Sequence, residues 1–194
     1  MSGDFRVAGV ILAGGLGRRM GGVDKGLRPL RGKPMVQWVL ERFSPQVDEV
    51  LINANQHTDE YSAFGRPVIQ DQIAGFAGPL AGLHAALSAT SLPLVATVPC
   101  DSPFMPADLV ARLKNALLER QADVAAARTL TQAHPVFCVC RRTVLPQLAA
   151  FLAGGGRKIE QWHGTLATVE VNFDDQIEAF SNINTPEELA HFEL

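Results

Sequence analysis

An apolar run without a single charge, "VAGVIL" from Val7 to Leu12, leads straight into "AGGLGRRMGGVDKGL", where six glycines fall between Gly14 and Gly26. No other feature constrains the fold as much. A continuous run of largely β-branched residues suits a strand buried on both faces, as strands of a parallel sheet are. The glycines behind it expose backbone N–H groups and accept φ > 0, so the turn can curl its amides around an anion where any Cβ would collide. Arg18, Arg19 and Lys25 lie in the same stretch. Arginine clamps phosphate oxygens in pairs, and lysine adds a compact point charge. A loop for a triphosphate is the functional reading, and a glycine turn with solvated basic residues is the alternative. Position favours the former, because ligands of open α/β sheets bind beyond the carboxyl ends of the strands.

Two familiar phosphate loops do not fit. The dinucleotide fingerprint fails at its third glycine, since Gly15-Leu16-Gly17-Arg18-Arg19 is followed by Met20. A Walker A loop fails in spacing between Gly26 and Gly32-Lys33 and again at Pro34, where Ser or Thr is required.

The rest of the chain alternates strand and helix patterns. "PMVQWVLERF" repeats apolar residues at helical spacing with Pro34 in its first turn. "EVLINAN" (Glu49 to Asn55) reads as a strand, then after a polar loop come a short strand ending "VIQD" at Asp71 and a helix in "GPLAGLHAALSA" from Gly78. "LVATVPCD" (Leu94 to Asp101) is the next strand, and a helix follows from Pro106 to Arg120, with Asp108 in its first turn. In the second half "DVAAARTL", "HPVFCVCRR" and "ATVEVNFD" read as strands, and "TVLPQLAAFLA", "RKIEQWH" and "TPEELAHFE" as helices. The expected fold is α/β, a three-layer α/β/α arrangement with a mostly parallel central sheet and a mixed or antiparallel addition in the C-terminal half. With 194 residues and 47% hydrophobic content, one compact domain over residues 1–194 is expected.

A net charge of −3 argues against non-specific nucleic-acid binding, which needs many cationic side chains. The chain has no apolar stretch of membrane-spanning length and no signal peptide at its N-terminus, so no membrane partner and a cytoplasmic location are expected. Cys100, Cys138 and Cys140 form no C-x-x-C pair and cannot all be bridged, which suits a reducing compartment and three buried small hydrophobes.

The rule that sites gather at strand ends singles out Asn53, Asp71 and Asp101, each of which follows an apolar strand. A carboxylate facing a phosphate site repels it unless a cation intervenes, so Mg²⁺ bridging Asp101 and phosphate oxygens is the functional reading. A turn or capping aspartate before Pro103 is the structural one.

"LAGGLGRRMGGVDK" resembles the signature loop of nucleotidyltransferases. Together with "INAN" at Ile52, "QD" at Gln70, "GPLAG" at Gly78, "PCDSPF" at Pro99 and "NINTPEEL" at Asn182, the ordered set resembles the molybdenum cofactor guanylyltransferases over nearly the whole chain. The resemblance implies a Rossmann-like nucleotidyltransferase fold. It also implies transfer of GMP from GTP to the terminal phosphate of molybdopterin, with Mg²⁺ as cofactor and pyrophosphate as product. It assigns Leu12, Ala13, Gly14, Gly15, Lys25, Asn53, Asp71, Gly78, Pro79, Leu80 and Asp101 to GTP, with Asp101 on the metal. Asn182 and Asn184 fall to the pterin, although loop asparagines also serve turns. The nucleotide half then runs to about residue 105 and the acceptor half from about 106 to 194.

Because the attacking phosphate is already ionised, catalysis is expected to rest on positioning and on charge screening by Asp101-bound Mg²⁺, Lys25 and Arg19. No general base is needed, and His57, His84, His134, His163 and His191 receive no catalytic role. Cofactor-biosynthesis proteins and molybdoenzyme chaperones are the partners the resemblance suggests, and the composition permits a monomer. The competing readings are a cytidylyltransferase acting on the same pterin, a guanylyltransferase acting on a sugar phosphate, a GTP-binding regulatory module, and a catalytically silent scaffold.

Overall fold

A computed structural model of the chain describes residues 5–13, 24–73, 78–130 and 132–183. Its elements in chain order are β1 (Val7–Leu12), β2 (Pro29–Leu30), β3 (Lys33–Pro34), α1 (Met35–Phe43), β4 (Glu49–Asn53), α2 (Thr58–Ser62), β5 (Val68–Ile69), α3 (Pro79–Ala89), β6 (Leu94–Pro99), α4 (Leu109–Glu119), β7 (Val124–Thr129), β8 (Gln132–Arg141), α5 (Leu145–Ala153), α6 (Ile159–His163) and β9 (Thr168–Asn172).

Seven strands form one sheet in the order β5-β4-β1-β6-β8-β7-β9. β1 pairs parallel to both β4 and β6, β4 to β5, and β7 to β9, whereas β8 runs antiparallel to both β6 and β7. The mostly parallel sheet with a mixed C-terminal half therefore matches the expected α/β class. β1 lies inside the sheet between β4 and β6, and its alternate residues feed two cores. Val7 and Ile11 pack with Val36, Val39 and Phe43 of α1 and with Leu109 and Leu113 of α4. Ala8 and Val10 face Leu80, Leu83 and Leu87 of α3, Leu148 and Leu152 of α5, and Trp162 of α6. A strand with both faces covered must be apolar throughout, which is why Val7–Leu12 carries no charge.

Gly9 lets α1 settle directly onto β1, since a Cβ there would lie 2.5 Å from the Phe43 ring. Where β7 meets β8 the register breaks: Ala126 pairs with Cys138, but Ala127 pairs with His134. Pro135 sits inside this irregularity, where it has no ladder hydrogen bond to donate.

Several boundaries differ from those expected. Pro34 lies in the β2–β3 hairpin as the residue before α1, with ψ 142°, rather than in the helix's first turn. α4 begins at Leu109 with Asp108 just outside it. β4 and β6 stop at Asn53 and Pro99, short of the Asn55 and Asp101 expected, although the Ala54 and Cys100 N–H groups still donate to the Ile69 and Leu12 carbonyls of the neighbouring strands. The loop after β4 holds the short helix α2, and the β2–β3 hairpin is a further element the sequence pattern does not announce. The helix expected in "TPEELAHFE" lies outside the described residues. No helix among the described residues is long and apolar enough to cross a membrane.

Candidate active site

Because β1, β4, β5 and β6 run in the same direction, their carboxyl ends share one edge of the sheet. Leu12 ends β1, Asn53 ends β4, Asp71 follows β5, and Asp101 follows β6. The backbone just beyond β1 is tied to both neighbours. The Ala13 N–H donates to the Asn53 carbonyl at 2.8 Å, and the Leu12 carbonyl accepts from the Cys100 N–H at 3.1 Å.

Asn53 is buried, and its amide nitrogen donates to Asp71 Oδ1 at 2.9 Å. Asn55 holds the same aspartate from the other side. Its Nδ2 donates to Asp71 Oδ2 at 2.8 Å, while its Oδ1 accepts from the Asp71 N–H at 2.9 Å. Both carboxylate oxygens are thereby oriented by amide donors, which fixes Asp71 at the carboxyl edge next to the end of β4. α3 presses on this group, since a Cβ on Gly82 would collide with Asn53 Oδ1 and approach Leu12 Cδ2 to 2.6 Å. The chain "INAN" carries the signal for Asn55, two residues beyond Asn53 and on the same side of extended backbone, but its partner is visible only once β5 is in place.

On the other side of β1, Lys25 Nζ lies 3.1 Å from Asp101 Oδ2. Both side chains are largely withdrawn from solvent, at 28% and 12% exposure, where an ion pair is less screened than at the surface. The Asp101 carbonyl accepts the Ile183 N–H at 3.0 Å, and the buried Ser102 hydroxyl donates to Asn182 Oδ1 at 2.5 Å. Asn182 is thus tied to the residue that follows Asp101, and its amide N–H groups are what it can offer a ligand. Gly78 and Pro79 are exposed at the start of α3, with Gly78 at φ 68°. The Leu80 side chain is fully buried in the core, so any base contact there is limited to its backbone. Gly14, Gly15, Arg18, Arg19 and Asn184 lie outside the described residues.

Among the described residues no group of three or more His, Cys, Asp or Glu could hold a metal ion. Magnesium held through one or two carboxylates, water and substrate phosphates needs no such cluster. Asp101, a single oriented carboxylate next to a cation at the strand edge, fits that class of site. Two of the described histidines are packed elsewhere in the fold. His163 is buried on α6, and His134 stacks on Phe180 at 4.6 Å.

A family model described as "MobA-like NTP transferase domain" matches residues 9–167. The chain belongs to this family. A protein of Cupriavidus necator named molybdenum cofactor guanylyltransferase is 50% identical to it over 188 residues, covering 94% of each chain. One of the same name from Ralstonia pickettii is 49% identical over 192 residues, again covering 94% of each. Among solved structures, molybdopterin-guanine dinucleotide biosynthesis protein A of Archaeoglobus fulgidus superposes with a TM-score of 0.81 at 26% identity, covering 96% of both chains. As a MobA-like NTP transferase, the chain has the α/β sheet of that family, and the strand edge that carries Asn53, Asp71 and Asp101 is the edge at which such sheets bind ligands.

Proposed function

We propose that the chain transfers GMP from GTP to the terminal phosphate of molybdopterin, yielding the guanine dinucleotide form of the cofactor and pyrophosphate. The observation that carries this reading is the Lys25–Asp101 pair at 3.1 Å, one strand away from the Asn53–Asp71–Asn55 group, on a chain of this family. Lys25 neutralises oxygens of the triphosphate. Asp71, held by two amides, accepts hydrogen bonds from the nucleoside. Leu12, Ala13, Gly14 and Gly15 are assigned to the nucleotide, and Gly78, Pro79 and the Leu80 backbone to guanine.

Asp101 would hold magnesium, which when bound would supply charge neutralisation to the phosphates. An acceptor phosphate oxygen attacks the α-phosphorus, the bond from that phosphorus to the β-phosphate bridging oxygen breaks, and pyrophosphate departs with the bonding electrons. Lys25 and Arg19 stabilise charge that grows on the leaving group, which is the kind of electrostatic assistance that accelerates most in a water-poor site. No residue needs to remove a proton. Asn182 and Asn184 serve the pterin side, so residues up to about 105 hold the nucleotide and those from about 106 hold the acceptor. A cytoplasmic monomer that hands its product to cofactor-handling proteins completes the reading.

Pyrophosphate release by the purified chain with Mg²⁺ tests it, comparing GTP, CTP and ATP with and without molybdopterin. Release that requires GTP and molybdopterin together is the expected result. Release with CTP, or with GTP and a sugar phosphate, would replace the nucleotide or the acceptor.

A further inference from the structure

Tyr61 belongs to the loop between β4 and β5, a polar stretch to which the sequence assigns nothing, yet its side chain is fully buried. Its hydroxyl donates to Asp24 Oδ1 at 2.5 Å, across 37 residues of sequence. The same oxygen accepts the Gly26 N–H at 2.9 Å. Asp24 and Gly26 are the two chain neighbours of Lys25. The turn they make is held from two further directions. The first turn of α1 donates to it, with the Val36 N–H on the Gly26 carbonyl at 2.9 Å and the Met35 N–H on the Arg28 carbonyl at 2.8 Å. Gly26 is wedged between elements, since a Cβ there would collide with the Tyr61 hydroxyl and lie 3.2 Å from Cys100 Cβ. Cys100 immediately precedes Asp101.

We propose that Tyr61 is a positioning residue for Lys25, acting through Asp24. The inference rests on the nucleotide-transfer reading and extends it to two side chains that touch neither substrate. A lysine has four rotatable bonds and locates its charge poorly unless its backbone is fixed. Here one carboxylate oxygen, gripped by the phenol, fixes the backbone on either side of the lysine. Asp24 would otherwise bring an unpaired negative charge toward a triphosphate. The two donors, one neutral hydroxyl and one amide, satisfy that charge and keep the carboxylate turned toward Tyr61. Burial first, and then the neighbouring Cys100 thiol and Asp24, push the phenol far above its ordinary range, so it stays a donor across the working pH.

The test is calorimetric titration of Mg²⁺–GTP into the full-length chain, alongside pyrophosphate release. Tyr61→Phe keeps the ring and removes only the hydroxyl. It is expected to weaken GTP binding about tenfold and to raise the GTP KM with kcat less affected, the size of effect lost with one hydrogen bond to a charged group. Asp24→Ala should match it, while Asp24→Asn, which retains an Oδ1 acceptor, should restore most of the affinity. The decisive comparison is made in a Lys25→Ala background, where Tyr61→Phe should cost nothing further, because the residue it positions is gone. A Tyr61→Phe protein that binds GTP within twofold of the wild type would overturn the proposal. So would an equal loss with and without Lys25, which would make Tyr61 a general support of the fold. A wild-type chain that neither binds GTP nor releases pyrophosphate would overturn the transfer reading itself, and this inference with it.

Discussion

Asp101 presents one carboxylate to Lys25 and its carbonyl to Ile183, so its side chain and its main chain serve different ends. Asp101→Ala removes only the first. Pyrophosphate release should fall to background while the chain keeps its thermal midpoint to within a few degrees, which paired activity and calorimetric measurements would check. Lys25→Ala should act on a different quantity, raising the GTP KM by about ten- to a hundredfold, as expected when a charge-assisted contact to phosphate is lost. Asn53, Asp71 and Asp101 could be read from the chain alone, because a polar residue just beyond an apolar strand of a parallel sheet has one place to go. Asn55, Asp24 and Tyr61 could not. Their significance lies in contacts that link β4 to β5, and α2 to the turn before α1, and no periodicity encodes such a pairing.

α3 illustrates how an element can be set by a neighbour's side chain. Replacing a helical glycine by alanine ordinarily stabilises by about 1 kcal/mol. At Gly82 the sign should reverse. The new Cβ meets Asn53 Oδ1 and Leu12 Cδ2, so either α3 lifts from the sheet or the Asn53–Asp71 contact opens. Gly82→Ala is expected to destabilise by about 1–3 kcal/mol, the usual cost of overpacking, and to weaken GTP binding as well. Urea unfolding and nucleotide titration on the same protein would show both effects.

The helices α1 and α4 were legible because their apolar residues recur at helical spacing, and β1 and β6 because each is a continuous apolar run that suits a strand covered on both faces. Their ends were less so. Aspartate suits both a helix's first turn and the position just before it, and proline suits the start of a helix, so neither residue marks the boundary to the residue; Pro34 and Asp108 took the outer position. The five-residue helix α2 and the two-residue strands β2 and β3 are too short to show any period.

At the scale of the whole molecule, His163 links stability to pH. It lies in the core around Trp162 with its Nε2 buried and unpartnered, and burial lowers its pKa to about 4, opposed only weakly by Glu160. An unfolded chain takes up a proton below the ordinary histidine range, near 6.5, whereas the folded chain refuses it until about pH 4. Stability should therefore be fully present above pH 6.5 and decline as the pH falls toward 4, by ~2–3 kcal/mol from this residue. Burial shifts His84 and His134 in the same direction. A His163→Leu variant should lose much of that slope in denaturant midpoints measured between pH 7 and 4, and an unchanged slope would discount the residue.

The Ser102–Asn182 contact spans 80 positions, and the neighbouring Asp101–Ile183 bond closes the same long loop. Proteins emerge from the ribosome in order, and early segments begin to fold first. When the chain has been made as far as Asp101, the residues proposed to hold GTP have all been synthesised, but Asn182 and Ile183 have not. The bonds that tie Asp101 and Ser102 to Ile183 and Asn182 can therefore form only after nearly the whole chain has been made, so this corner of the site is among the last to be completed.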